Sequence, residues 1–123
     1  MGDPRHVLGR AAEEIVAGWL AAAGWEILER RIRAGGGGEV DLIALDRRRV
    51  LVAVEVRARR SDRTGAAATT VDQRRIRRLE GTLVAYASTR EVPHRGLRVD
   101  LVTVEPARPG GWLVRRIAGI GGR

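Results

Sequence analysis

Apolar and polar residues recur with two different periods along the chain, and the period distinguishes the expected helices from the expected strands. Apolar residues are spaced at helical intervals over residues 10–23 and 71–88, which predicts two amphipathic helices. Short runs rich in β-branched residues predict five strands, at residues 25–33, 38–43, 50–57, 98–104 and 112–117. The order of elements, αβββαββ, predicts an α/β domain.

The segments that connect these elements predict one domain rather than several. The chain has 123 residues and no internal repeat or linker, so we expect a single domain over residues 1–118 and a flexible tail over 119–123. Residues 35–38 are all glycine and residues 61–70 are small and polar, so both are expected to be loops. The glycine run is not a phosphate-binding P-loop, because no Gly-Lys-Ser/Thr follows it.

Acidic residues occupy one face of the second and third predicted strands, where apolar residues are expected. Glu39 and Asp41 share a face of the second strand. In the third strand, valines form one face, while Glu55 and Arg57 lie on the other. Burying an unpaired carboxylate is costly, so this pattern indicates a binding partner or a metal ion.

The turn between these two strands determines whether their acids can meet. If Asp46 and Val50 close a three-residue loop, the register places Asp41 directly opposite Glu55. Like charges repel at that separation, and a divalent cation between them would convert the repulsion into ligation. A register shifted by one residue would put the two acids on opposite faces of the sheet.

The oxygen-rich composition of this pair is suited to magnesium, which prefers carboxylates, water and phosphate as ligands. Asp41 and Glu55 are the expected ligands, and a main-chain carbonyl near Val56 is a candidate third. Glu13 is the expected addition from the first helix, since it shares a face with apolar residues, and Glu14 is the alternative. Phosphodiester hydrolysis uses such a cation to polarise the phosphoryl group and to activate water.

A structural role is the alternative explanation for the same acids. In that interpretation Asp41 and Glu55 form salt bridges with Arg57 and Arg98 on a strand face, and Glu13 is exposed to solvent.

Positive charge is concentrated next to the acidic strands. The net charge is +8, and residues 57–78 hold eight arginines against two aspartates, which accounts for +6 of it. Such a density favours a polyanion, because phosphate contacts release condensed counterions. The alternative is a solvated basic face without a partner. The candidate nucleic-acid contacts are Arg59, Arg60, Arg74, Arg75, Arg77 and Arg78.

Several other classes of protein are disfavoured by composition. No apolar run approaches the ~18 residues of a membrane span, the first ten residues lack the order of a signal peptide, and there is no cysteine. We therefore expect a cytoplasmic protein without a membrane partner. Trp19, Trp25 and Trp112 lie among apolar residues and are expected in the core, so recognition of the nucleic-acid backbone is favoured over base stacking.

Four segments of the chain resemble a known bacterial family. They are Gly9 with Glu13 and Trp19-Leu20, then residues 38–43 (GEVDLI), residues 54–59 (VEVRAR) and residues 98–102 (RVDLV). Together they resemble the YraN-type family (uncharacterised protein family 0102), which is similar to the PD-(D/E)XK nucleases, including Holliday-junction resolvases. The resemblance implies a restriction-endonuclease-like α/β fold with a mixed central sheet flanked by helices.

The resemblance also implies roles for particular residues. Glu13, Asp41 and Glu55 match the acidic positions of a nuclease motif that binds Mg²⁺ or Mn²⁺. Arg57 takes the usual lysine position, and the family tends to have lysine where Arg75 stands. A guanidinium stays protonated and cannot act as a base, so Arg57 is expected to hold a phosphate oxygen instead.

Two functions follow as hypotheses. The first is a metal-dependent nuclease acting on DNA, with branched DNA as a candidate substrate and a homodimer as the form that would cut both strands symmetrically. The second is a nucleic-acid-binding module without catalysis on the same fold. A third reading, in which the arginines bind an acidic protein, is weaker.

Overall fold

The order of helices and strands follows the sequence prediction, with shifted boundaries. The computed structural model describes residues 4–33, 39–59 and 71–121, and the side chains of the first helix from Gly9 onward. The predicted loops at 35–38 and 61–70, together with Arg60, lie outside these residues. The elements are α1 (Pro4–Ala22), β1 (Glu26–Arg33), β2 (Glu39–Leu45), β3 (Leu51–Ala58), α2 (Gln73–Arg90), β4 (Leu97–Pro106) and β5 (Trp112–Ile117).

The strands form one mixed sheet in chain order, β1-β2-β3-β4-β5. β1, β2 and β3 are a meander of antiparallel strands. β3 and β4 are parallel, and helix α2 makes the crossover that a parallel pair requires. β5 then returns antiparallel to β4 at the edge. The predicted α/β class is confirmed, and the arrangement is consistent with a restriction-endonuclease-like fold.

The two helices cover opposite faces of the sheet. Alternate residues of β3 point to opposite sides, so Val52 and Val54 pack against α1, while Leu51 and Ala53 pack against α2. The helices contribute a stripe of buried residues each. These are Ala12, Val16, Ala17 and Leu20 of α1, and Ile76, Leu79, Thr82, Leu83 and Tyr86 of α2. The central strands are therefore buried on both sides, which explains their nearly continuous apolar sequence.

Local signals determine where the helices begin and end. Gly24 has φ +94° and the Trp25 amide donates to the Leu20 carbonyl at 3.0 Å, so α1 ends in a left-handed glycine cap. α1 begins six residues earlier than expected, with Pro4 as its first residue, where no N–H is needed. Asp72 caps α2 by accepting the Arg74 amide at 2.7 Å.

The tryptophans depart from the prediction that all three lie in the core. Trp19 is 40% exposed and Trp112 is 47% exposed, while Trp25 is partly buried. Val16, Ala17 and Leu20 turn toward the sheet, which leaves Trp19 at the margin of the packed stripe of α1. Trp112 is on edge strand β5, whose residues are mostly exposed.

The C-terminal segment also differs from the expected flexible tail. The Gly119 amide donates to Asp100 at 3.0 Å, and the Ile120 amide donates to the Val99 carbonyl at 2.9 Å. Ile120 packs against the α2 side of the core. Gly119 and Ile120 are thus attached to β4, and residues 122 and 123 lie outside the described part of the chain.

Neither helix, within the described residues, combines the length and the apolar character required to cross a membrane.

Candidate metal and nucleic-acid site

The turn between β2 and β3 sets the register on which the acidic pair depends. Asp46 and Val50 close the three-residue loop, with the Asp46 amide donating to the Val50 carbonyl at 3.0 Å. The Asp46 carboxylate accepts the amides of Val50 and Arg48 and fixes the loop further. Strand pairing then runs from Leu45 opposite Leu51 to Leu42 opposite Val54. The predicted register is confirmed, and the next position along places Asp41 across from Glu55.

Regular pairing of β2 with β3 ends at Leu42 and Val54, although both strands continue. The Val56 amide donates instead to Oδ2 of Asp41 at 2.8 Å, so a side chain takes the place of a main-chain acceptor. We call the space bordered by Asp41, Glu55, the Val56 amide and Arg75 the β2–β3 mouth. Glu55 is in phase with Leu51 and Ala53, so its side chain lies on the α2 side of β3.

Helix α2 closes one side of this mouth through Arg75. Nε and Nη2 of Arg75 donate to the two carboxylate oxygens of Glu55, each at 3.0 Å, and Nη2 also donates to the Glu39 carbonyl at 2.6 Å. Glu55 is only 6% exposed, so this bidentate pair supplies the counter-charge that its burial requires. The hydrogen bonds to Glu55 raise the pKa of the Arg75 guanidinium, against the effect of burial.

Asp41 is the electrostatically strained member of the pair. Burial raises its pKa most, the charge and hydrogen bond of Glu55 and the charge of Glu13 raise it further, and the Val56 amide opposes them. The resulting pKa of Asp41 is about 7, against an ordinary value of 3.8. At neutral pH the mouth therefore holds a carboxyl group that would be stabilised by a cation.

Glu13 affects Asp41 in the mouth through its charge rather than through direct contact. Its side chain is 18% exposed and accepts a hydrogen bond from Arg31 Nε at 2.8 Å. Glu14 is 69% exposed and pairs with Arg30 at the surface. Of the two candidates on α1, Glu13 is thus the one turned toward the sheet. Its carboxylate is engaged by Arg31 in the described arrangement.

The acidic residues present fit a hard divalent cation in part. Asp41 and Glu55 offer adjacent oxygen donors, and the raised pKa of Asp41 indicates negative charge that the protein does not fully neutralise. Within the described residues, however, no group of three or more His, Cys, Asp or Glu side chains is arranged to hold a metal ion. The protein thus provides two carboxylates, and the remaining ligands would have to be water and substrate oxygens.

The predicted basic residues divide into four groups, of which Arg75 alone is the last. Arg74, Arg77 and Arg78 are exposed on α2, and we call them the α2 ridge. Arg57 and Arg59 lie partly buried at the end of β3, beside β4, with the Arg59 amide donating to the Val104 carbonyl at 2.7 Å. Arg60 lies outside the described residues.

Arg75 does not belong to the ridge, although the sequence grouped it with Arg74, Arg77 and Arg78 as a candidate nucleic-acid contact. It occupies a helical position four, seven and eleven residues before Leu79, Thr82 and Tyr86, which are buried. That spacing is the sequence signal that identifies it as an inward-facing arginine.

A second buried acid was missed by sequence reasoning. Asp100 in β4 is fully buried and accepts hydrogen bonds from Arg98, from Arg116 and from the Gly119 amide. Arg98 also binds Asp46 at 3.0 Å. It therefore pairs with Asp100 and Asp46, and not with Asp41 or Glu55 as in the alternative interpretation. The signal was an aspartate inside the apolar run of β4. This cluster lies apart from the mouth and links the β2–β3 turn to the C-terminal segment.

Comparison with known proteins gives a consistent family match. The family model described as Uncharacterised protein family UPF0102 matches residues 12–104. The chain is 40% identical to a UPF0102 protein of Anaeromyxobacter dehalogenans, over 90% of this chain and 94% of that protein. It is 41% identical to a UPF0102 protein of Symbiobacterium thermophilum, over 89% and 92% of the two chains. A UPF0102 protein of Streptomyces coelicolor is 35% identical, over 96% and 91%.

Proposed function

The chain belongs to the uncharacterised protein family UPF0102, and since membership by itself assigns no activity, we propose that the protein is a metal-dependent nuclease acting on DNA. The observation that carries the proposal is the pairing of Asp41 with Glu55 at the β2–β3 mouth. Burial, and after it the proximity of Glu55, raises the pKa of Asp41 to about 7, which is an energetic cost that a divalent cation would relieve.

The roles of the acidic residues follow from their positions. Asp41 and Glu55 would hold Mg²⁺ or Mn²⁺, and Glu13 would add negative charge from α1. A cation bound there would polarise the phosphoryl group and lower the pKa of an attacking water. Asp41 gives up its proton when it becomes a ligand, so metal binding should strengthen as the pH rises through about 7.

The arginines would position the nucleic acid. Arg57 follows Glu55 by two residues on the same face of β3, so it is suited to hold a phosphate oxygen beside the carboxylates. It cannot act as a general base, because a guanidinium remains protonated. The α2 ridge (Arg74, Arg77 and Arg78) presents charge along one line of the helix, as expected for contacts with a phosphate backbone. Symmetric cleavage of a branched junction would require two copies of the chain.

A nucleic-acid-binding module without catalysis is the second candidate. It is favoured by the bidentate pair between Arg75 and Glu55, which gives one of the two acids a structural partner. The absence of a three-acid group among the described side chains points in the same direction.

Calorimetry and cleavage together test the two candidates. Mn²⁺ is titrated into the wild-type protein and into Asp41→Asn and Glu55→Gln, and the same proteins are incubated with duplex and four-way-junction DNA with and without Mg²⁺. The nuclease predicts a binding heat and Mg²⁺-dependent cleavage that both substitutions abolish. DNA binding without cleavage would favour the second candidate, and the absence of an Asp41-dependent heat would refute the metal site.

The salt dependence of DNA binding tests the α2 ridge. Replacing Arg74 and Arg78 by glutamine should reduce the slope of log K against log salt by up to ~2, since each lost phosphate contact removes about one released counterion. Arg48→Gln with Arg95→Gln is the matched control, because these exposed arginines lie at the opposite end of β3. An equal change in both double variants would show a general charge effect rather than contacts by the ridge.

A further inference from the structure

Arg75 is the cation that the protein itself supplies to the β2–β3 mouth. Its guanidinium binds both oxygens of Glu55 and the main-chain carbonyl of Glu39, so it connects α2 to β3 and to the beginning of β2. The arginine side chain is 27% exposed, whereas that of Glu55 is 7% exposed, so solvent reaches the cation more readily than the anion.

We propose that Arg75 is an exchangeable counter-ion, which neutralises Glu55 in the metal-free protein and moves to a nucleic-acid phosphate when a divalent cation takes its place. This inference rests on the proposed metal site and adds a regulatory step to it. Arg75 is thus a positioning residue that makes metal binding and nucleic-acid binding depend on each other.

Competition between Arg75 and a metal ion follows from the hydrogen-bond geometry. Both carboxylate oxygens of Glu55 already accept an N–H of Arg75, so a cation coordinated by Glu55 has to share or replace those bonds. A guanidinium and a divalent cation in contact with the same carboxylate also repel each other. Asp41 differs from Glu55, because it accepts the neutral amide of Val56, and its hydrogen bond with Glu55 depends on a proton that leaves when a cation binds. The expected order is therefore ligation by Asp41 first and release of Glu55 second.

A phosphate bound by α2 could accept hydrogen bonds from a displaced Arg75. Arg78 follows Arg75 by three residues, a spacing at which helical side chains are neighbours, so a phosphate held by Arg78 would lie within reach of a displaced Arg75 guanidinium. Guanidinium binds phosphate as well as carboxylate through two parallel hydrogen bonds. A nucleic acid that attracts Arg75 would free Glu55 for the metal. By thermodynamic linkage the metal would then increase the affinity for nucleic acid by the same factor.

The first test compares the Mn²⁺ affinities of arginine variants by titration calorimetry without DNA. Arg75→Gln should bind Mn²⁺ roughly tenfold more tightly than wild type, because a charge-assisted bond worth about that factor no longer competes. Arg78→Gln removes the same charge from the same helix without touching Glu55, and it should change the affinity much less. Arg75→Lys keeps the charge but cannot span two oxygens, so its affinity should be intermediate.

The second test adds DNA, and its first comparison, wild type with and without the duplex, does not depend on how well the variants fold. A short blunt-ended DNA duplex should tighten Mn²⁺ binding to wild type and should have a smaller effect on Arg75→Gln. Asp41→Asn with the same duplex measures the Mn²⁺ that is bound by DNA alone. Moderate salt is kept constant throughout, since both bound species are charged.

The outcomes separate this inference from the proposed function. If Mn²⁺ binds wild type through Asp41 but Arg75→Gln binds it no more tightly than Arg78→Gln does, the exchange is refuted and the metal site stands. If DNA leaves the Mn²⁺ affinity of wild type unchanged, the coupling is likewise refuted. If neither wild type nor Arg75→Gln binds Mn²⁺, both the exchange and the proposed metal site are refuted.

Discussion

Asp41→Asn should stabilise the metal-free protein above neutral pH, although it removes a residue assigned to the site. In the native structure the Asp41 carboxylate is largely buried, accepts the Val56 amide and lies beside Glu55. Asparagine has the same shape and no charge. Its amide oxygen can accept the Val56 N–H, and its NH₂ group can donate to Glu55, so the repulsion between two acids becomes an attraction.

The size of the effect follows from the raised pKa. The pKa of Asp41 is about 7 in the folded protein and 3.8 as its ordinary value, so the folded state holds this proton more tightly than the unfolded state. The associated stability is fully present below about pH 4 and is lost as the pH rises through about 7. At about 1.4 kcal/mol per unit, this group costs wild type at most about 4 kcal/mol by pH 8. Asparagine avoids that cost.

Urea unfolding followed by tryptophan fluorescence, in a chelator, measures this difference across the pH range. The curves for wild type and Asp41→Asn should nearly coincide at the acid end, where Asp41 is protonated, and separate as the pH rises. Asp46→Asn is the matched control. Burial alone would raise the pKa of Asp46, but hydrogen bonds from Val50 and Arg98 lower it. Asp46→Asn should therefore destabilise the protein at neutral pH and have less effect in acid.

A gain in stability that does not grow with pH would contradict the electrostatic account of Asp41. So would an Asp41→Asn variant that is less stable than wild type at about pH 8. Addition of Mg²⁺ provides an independent check, because a cation that binds only the folded state should stabilise wild type and not Asp41→Asn.

Two further predictions concern stability away from the mouth. Asp100→Asn should lower the free energy of unfolding by about 3 kcal/mol or more, since two arginines lose a fully buried anion. Glu26→Gln breaks an exposed ion pair and should have little effect. Similar urea midpoints for the two variants would refute this difference between a buried and an exposed ion pair. Gly24→Ala should destabilise the folded protein by about 1–2 kcal/mol, because the backbone at this position has φ +94°. Gly18→Ala lies inside α1, where alanine is the better helix former and meets no neighbouring atom, so it should raise the melting temperature. A loss of stability at both positions would contradict this account.

Local interactions explain why much of the fold could be predicted from the sequence. Each helix and strand carries its own periodicity, and the short turn from Asp46 to Val50 fixes the register of β2 against β3. The meeting of Asp41 with Glu55 follows directly from that register. These features depend on residues close together in sequence, so the pattern contained enough information to predict them.

Features that depend on packing between distant segments could not be derived in the same way. Arg75 and Glu55 are separated by 20 positions, and their pairing requires α2 to cross the sheet with one particular rotation. The exposure of Trp19 depends on the same kind of information, namely which side of α1 the sheet covers. The helical phase of Arg75 with Leu79 was available in the sequence, but Arg75 was grouped with the three neighbouring arginines of α2 as a basic contact.

The buried Asp100 cluster has a consequence for how the two edges of the sheet move. Arg116 of β5 and the Gly119 amide after it both bind this carboxylate, so β5 cannot separate from β4 without exposing a charge buried in the interior. β1, at the other edge, pairs with β2 across a register irregularity between Ile27 and Glu29, and the ion pairs of its charged side chains lie at the surface. Amide hydrogens of β5 that bond to β4 should therefore exchange with solvent only when the whole domain opens, while those of β1 exchange through local fluctuations. The strand with the more exposed side chains is then the one with the slower backbone exchange.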